Sequence, residues 1–141
     1  MKPTLRVVID TNVLISRLLA PKSVPGRAVS HVVRKGLLLM SEATFEELVE
    51  VISRPKFDKY LTSEERREFL RLLHRIGEIT PITHRVSDCA DPKDNQFLEL
   101  ALSGEARVII TGDGDLLKLH PFRGIPILKP ADYLSACKAP T

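Results

Sequence analysis

The stretch that decides the fold is Leu5-Arg6-Val7-Val8-Ile9-Asp10-Thr11-Asn12-Val13-Leu14. Leu5 to Ile9 reads as a buried strand, with Val7, Val8 and Ile9 supplying β-branched side chains. Asp10 stands at its C-terminal end, and Asn12 to Leu19 forms a helix that stops before Pro21. A strand that hands a carboxylate to the start of a helix is a natural opening for an α/β domain.

The same alternation continues down the chain. A second helix, Arg27 to Lys35, ends in basic residues and Gly36, and Leu37 to Met40 is a short strand. Ser41 caps a helix from Glu42 to about Ser53, before Pro55. Thr62-Ser63-Glu64-Glu65 is a capping box that opens a helix running to Gly77. Glu78 to Thr83 is a weaker strand. Asp91-Pro92 opens a helix to about Ser103, closed by Gly104. Arg107 to Thr111 and Ile125 to Leu128 are strands, and Pro130 to Cys137 is a short terminal helix. The expected architecture is one domain over residues 1–141: a mostly parallel sheet of about five strands with helices on both faces.

Composition sets the bounds. The 141 residues carry 21 Lys+Arg against 18 Asp+Glu, a net charge of +3, with 43% hydrophobic and 28% charged residues. That balance belongs to an ordinary globular domain with its own core. The longest apolar runs are four or five residues, too short to span a bilayer, and Arg6 and Asp10 interrupt the one apolar stretch that resembles a signal sequence. Cys89 and Cys137 form neither a disulfide framework nor a metal-ligand spacing, so a reducing cytoplasm is the expected location. The charge is unevenly spread. Residues 1–36 hold seven bases and one acid, Asp10, a net of +6 that suits a surface meeting an anion.

Four acids stand out. In open parallel sheets ligands bind at the C-terminal strand ends, where Asp10 and Asp113 both fall. Asp94 shares the apolar stripe of its helix with Phe97, Leu98 and Ala101, so it faces the sheet rather than solvent. Asp91 is chiefly a helix cap. On the helix after Ser41, Phe45, Leu48, Val49 and Ile52 form the buried face, with Glu46 and Glu50 on the far side. Glu47 lies on a shoulder of that face, either inward-facing or as a snorkelling surface side chain. Asp115 either joins the site or caps the turn Leu116-Leu117-Lys118.

Converging carboxylates repel one another by about 4 kcal/mol per pair at ~4 Å and an effective dielectric near 20. Protons or a hard cation must relieve this, and an all-oxygen ligand set suits Mg²⁺ or Mn²⁺ rather than zinc. His31, His74, His84 and His120 show no paired ligand spacing. No nucleophile elbow, P-loop or dinucleotide fingerprint is present. Water activation and charge stabilisation on phosphate remain as the chemistry.

These residues resemble a known family. Val7 to Leu14, Glu46-Glu47-Leu48, Asp91-Pro92-Lys93-Asp94-Asn95 through Ala101, and Ile109-Ile110-Thr111-Gly112-Asp113 together look like a PIN domain, in order and spacing. Ser41-Glu42, Arg54-Pro55-Lys56-Phe57 and Asp115-Leu116-Leu117 are similar to the PIN subgroup of toxins from type II toxin–antitoxin systems. The resemblance implies a metal-dependent endoribonuclease whose acidic site maps to Asp10, Glu47, Asp94 and Asp113. Asn12 and Thr111 match its supporting polar residues, and Asp91 and Asp115 its outer members. It further implies an RNA substrate, a homodimer and a cognate antitoxin protein. Basic residues near the strand-end rim (Arg17, Lys22, Arg27, Lys93) are candidates for RNA phosphates.

Two other classes stay open. A phosphatase of the haloacid dehalogenase type also places an Asp after its first strand, but it wants a second Asp where Asn12 stands. A non-catalytic nucleic-acid-binding module on the same fold is the other, and the presence of all four acids argues against it.

Overall fold

The structure, a computed structural model, describes residues 5–138. The expected domain boundary of 1–141 includes residues 1–4 and 139–141, which lie outside the described residues. Strands and helices alternate: β1 (Arg6–Ile9), α1 (Thr11–Leu19), α2 (Val24–Lys35), β2 (Leu37–Met40), α3 (Glu42–Ile52), α4 (Ser63–Ile76), β3 (Glu78–Ile79), α5 (Asn95–Ser103), β4 (Val108–Ile110), α6 (Gly114–Leu117), β5 (Ile127–Leu128) and α7 (Pro130–Lys138). Single 3₁₀ turns cover Pro55–Phe57 and Pro92–Asp94.

All five strands pair in parallel, in the order β3-β2-β1-β4-β5. The chain builds outward from β1 to β3, then crosses to the other side of β1 for β4 and β5. The order reverses between β1 and β4, so the crevice of the sheet opens at their C-terminal ends. There Ile9 pairs with Ile110. The Asp10 N–H donates to the Ile110 carbonyl at 3.0 Å, the last rung of the ladder.

Alternation along the central strands divides the apolar interior into two layers. Val7 and Ile9, Leu38 and Met40, and Val108 and Ile110 face the layer built by α1, α2, α3, α4 and α7. Val8, Leu39 and Ile109 face the layer built largely by α5, with Leu116 of α6. Strands buried on both faces read as unbroken apolar runs, as here.

Capping residues act where expected. Ser41 and Thr62 both form reciprocal capping boxes with the residue three positions on. Several details differ, among them β5, which spans only Ile127–Leu128 because Ile125 pairs back with Phe122. The second helix starts at Val24, because Ser23 caps it and Pro25 sits in its first turn. β3 is two residues long: Glu78 pairs with Leu39 and Ile79 with Met40, where β2 ends. The turn Pro92–Asp94 is 3₁₀, with the Asp94 N–H bonded to the Asp91 carbonyl at 3.0 Å, so α5 begins only at Asn95. On α3 the buried face is Thr44, Leu48, Val51 and Ile52, whereas Val49 is 40% exposed.

Phe97 anchors α5 against the sheet and is 1% exposed. Phe97→Ala is expected to lower unfolding free energy by about 3–5 kcal/mol, through lost burial and the cavity left behind. Urea denaturation of the variant, with an unchanged m-value, checks this.

Candidate active site

A cleft of about 590 Å³ opens at the C-terminal end of β1 and β4. Asp10, Thr11 and Asn12 reach it from the β1–α1 junction and Asp113 from the segment after β4. α3 contributes Glu46, Glu47 and Glu50, with Arg54 just beyond its end. Asp91, Lys93 and Asp94 come from the turn before α5. All four acids implied by the resemblance therefore share one cleft. They arrive from four different segments of the chain.

Thr111 organises the floor. It is fully buried at the end of β4. Its hydroxyl donates to Asp10 Oδ2 at 2.7 Å and accepts from the Asp113 N–H at 3.0 Å. One side chain thus locks the two strand-end acids together. Burial raises the Asp10 carboxyl above its usual range, the Thr111 hydrogen bond opposes the rise, and the Glu47 and Asp113 charges add to it.

Asp113 is also the N-cap of α6: its Oδ2 accepts from the Leu116 N–H at 3.1 Å. The cap is therefore Asp113 and not Asp115, because α6 begins at Gly114. Asp115 lies in the first turn of α6, where its carboxylate comes close to those of Asp94 and Asp113. One oxygen from each of these three acids falls within 4.8 Å of the others. Burial, a hydrogen bond with Asp113, and the charges of Asp113, Asp10 and Asp91 push Asp94 up to about 7. Crowded, half-buried carboxylates with oxygen donors alone fit a hard divalent cation, which would take the place of that proton.

Glu47 is held from both sides. Thr11 Oγ1 donates to Oε2, and Gln96 Nε2 donates to Oε1 at 3.0 Å. Glu47 is thus the inward-facing alternative rather than a snorkelling surface residue. The roles of Thr11 and Gln96 toward Glu47 leave no mark in the sequence, because single polar residues on helices carry no spacing signal. Asn12 lies exposed on the cleft wall, and among the described hydrogen bonds the partner of Asp10 is Thr111, not Asn12. Asp91 Oδ1 caps its own turn, accepting from the Lys93 N–H at 3.0 Å.

Of the four basic candidates, only Lys93 lines the cleft. Arg17 and Arg27 line a separate, larger groove of about 1150 Å³, with an apolar floor that includes Phe69, Leu72, Leu73 and Ile76. Helix geometry explains the difference for Arg17. It lies six residues along α1 from Thr11, about 9 Å down the axis from the strand-end rim. Lys22 is exposed in the turn before α2 and lines neither cavity. Two of the histidines tie structural elements together: His31 bonds the Tyr133 hydroxyl at 2.8 Å, and His120 Nδ1 accepts from the Ile127 N–H at 2.9 Å.

Fold and cleft define a class: α/β domains with an acidic cleft at the switch point of a parallel sheet. Comparison places the chain within it. The family model described as PIN domain matches residues 6–115. The chain belongs to the PIN-domain family. A relative in Methanocaldococcus jannaschii, the uncharacterized protein MJ1680, is 34% identical over 123 residues, covering 84% of this chain and 77% of that protein. Among solved structures, the fold is similar to VapBC2 from Rickettsia felis bound to a DNA fragment from their promoter. The TM-score is 0.59 at 11% identity, over 88% of this chain and 98% of that one. It is also similar to the PIN domain endonuclease Utp24, with a TM-score of 0.56 at 22% identity, over 91% and 86% of the two chains.

The raised pKa of Asp94 has a consequence for stability. The folded state keeps the proton between the ordinary carboxylate range and about pH 7, while the unfolded chain has already lost it. Stability of the metal-free protein is therefore expected to fall as pH rises through that window. Asp94→Asn removes the penalty. Its melting temperature should match wild type only near pH 4, exceed it by a margin that grows up to about pH 7, and keep that margin at pH 8, read by thermal denaturation in chelator.

Proposed function

We propose that the protein is a metal-dependent endoribonuclease that hydrolyses RNA phosphodiester bonds, and that it is the toxin of a type II toxin–antitoxin pair. The observation that carries the proposal is the convergence of Asp10, Glu47, Asp94 and Asp113 on one cleft at the switch point of the sheet. Membership of the PIN-domain family supports the nuclease assignment. The fold shared with VapBC2 supports the toxin assignment.

Asp10, Glu47, Asp94 and Asp113 would hold Mg²⁺ or Mn²⁺, with Asp115 and Asp91 beside them and Asn12 on the wall. A divalent cation bound there supplies water activation and stabilises charge on the phosphate. The chain's own task is to present oxygens in a fixed array. Thr111 orients Asp10 and Asp113, and Thr11 with Gln96 orients Glu47. A cation held there would have to displace the Asp94 proton, so cation affinity is expected to rise with pH up to about 7 and then level. In-line attack of water on the phosphodiester leaves a 5′-phosphate.

The cognate antitoxin and a second copy of the chain are the proposed protein partners. The larger groove supports the first. Its lining joins apolar side chains to six bases, Arg17, Arg27 and Arg34 among them, against the three acids Glu64, Glu65 and Glu68, a net of +3 that suits an amphipathic segment carrying acids. A cytoplasmic location fits these partners, and no helix among the described residues is long and apolar enough to cross a membrane.

Incubation of the purified protein with RNA and Mn²⁺ should give cuts that EDTA abolishes, with 5′-phosphate ends on mapping. Asp10→Asn, Glu47→Gln, Asp94→Asn and Asp113→Asn should each lower the rate by more than about 100-fold while keeping the far-ultraviolet circular dichroism of wild type. Thr111→Val should weaken Mn²⁺ binding by about 10–100-fold in calorimetry. Full activity in Asp10→Asn sinks the assignment of the site. Induced expression should arrest growth of a host cell, and Asp94→Asn should not.

A further inference from the structure

The cleft wall poses an electrostatic problem for a polyanionic substrate. Seven lining residues are carboxylates and two are cations, Arg54 and Lys93, so the formal charge of the lining is 2 − 7 = −5. Even two divalent cations leave the lining at −1. An RNA phosphate that enters the cleft needs a cation on the wall.

Arg54 is built for that contact. Its guanidinium forms a two-pronged pair with Glu50, Nε to Oε1 at 3.2 Å and Nη2 to Oε2 at 2.8 Å. Both residues line the cleft. The pairing fixes the fork at the cleft wall, and the same planar fork matches phosphate oxygens as well as carboxylate oxygens. The pair is easily exchanged, because its side chains are 46% and 62% exposed and such pairs add little stability. The backbone is also prepared. Pro55 holds Arg54 extended, at φ −65° and ψ 142°, as the chain leaves α3.

We infer that Arg54 is a substrate-binding residue that takes an RNA phosphate in the cleft, and that Glu50 is its resting partner, displaced by that phosphate. The inference rests on the ribonuclease assignment for its substrate class and adds the side chain that grips it. Glu50 then acts as an intramolecular competitor that weakens RNA binding until a phosphate arrives.

The test is fluorescence anisotropy of a labelled single-stranded oligoribonucleotide with the full-length protein, with Ca²⁺ in place of Mg²⁺, beside a cleavage assay in Mn²⁺. Arg54→Ala should weaken binding about tenfold and flatten the slope of log K against log salt by about 0.7, one phosphate contact on a single strand. Arg54→Lys should restore part of the loss. In cleavage, KM should rise with kcat nearly unchanged. Glu50→Gln should tighten binding about threefold in the wild-type background and have no such effect beside Arg54→Ala, because its benefit passes through Arg54. Unchanged affinity in Arg54→Ala, or an equal gain from Glu50→Gln in both backgrounds, overturns the inference and leaves the ribonuclease assignment standing if wild type cleaves. Arg54-dependent binding without cleavage overturns the nuclease and keeps the contact. A wild type that neither binds nor cleaves RNA overturns both.

Discussion

The pairing of β1 with β4 is the constraint on which the rest depends. Three apolar pairs, Val7 with Val108, Val8 with Ile109 and Ile9 with Ile110, join segments about a hundred residues apart. The pairing lies in the middle of the sheet, so both faces are sealed by helices and no water competes for its hydrogen bonds. Its register carries Thr111 to Asp10. A slip of one residue would turn Thr111 to the opposite face and leave Asp10 buried without its donor. The same register sets where Asp113 leaves the sheet, because Thr111 also accepts from the Asp113 backbone.

Around that junction the molecule gathers carboxylates that oppose its own folding. Asp10 is 8% exposed, and Asp94 holds a proton into the neutral range. A chain selected for stability alone would place apolar or neutral groups there. The cost is contained by hydrogen bonds of high quality: Thr111 to Asp10, Thr11 and Gln96 to Glu47, and the Leu116 amide to Asp113. Each donor comes from a different element, so α1, α5, β4 and α6 all bear on the shape of the cleft. Donors of this kind hold the carboxylates in place, which would lower the reorganisation needed to bind a cation.

Much of this was legible in the chain. Apolar runs marked β1, β2, β4 and β5, since strands buried on both faces have no polar side to confuse the pattern, whereas the edge strand β3, Glu78–Ile79, carries no such run. Capping residues marked helix starts because orphan N–H groups demand them. Asp10, Asp94 and Asp113 were legible because carboxylates at strand ends and beside an apolar stripe are not what burial favours, although Asp113 also caps α6. Glu47 was ambiguous, because the apolar pattern of α3 admits Val49 as readily as Val51 to its buried face. Thr11, Gln96 and Arg54 were not legible as site residues. Their importance comes from partners on other elements or across a turn, and no periodicity encodes that. Nor did the excess of bases in residues 1–36 reveal its destination. Arg17 and Arg27 face a groove among helices, on a different part of the surface from the acids.

The sequence by itself determined the alternation of strands and helices, the family, and which acids to seek in the cleft. These rest on local forces: β-branched burial, helix capping, turn chemistry and the position of a charge within an apolar pattern. Tertiary structure alone decided which acids crowd together, which hydroxyl holds them, which cations stand on the cleft wall, and how far Asp94 departs from an ordinary carboxylate. Those properties depend on distances of a few ångströms between segments far apart in the chain. Both Coulomb energy and hydrogen-bond strength change steeply over such distances.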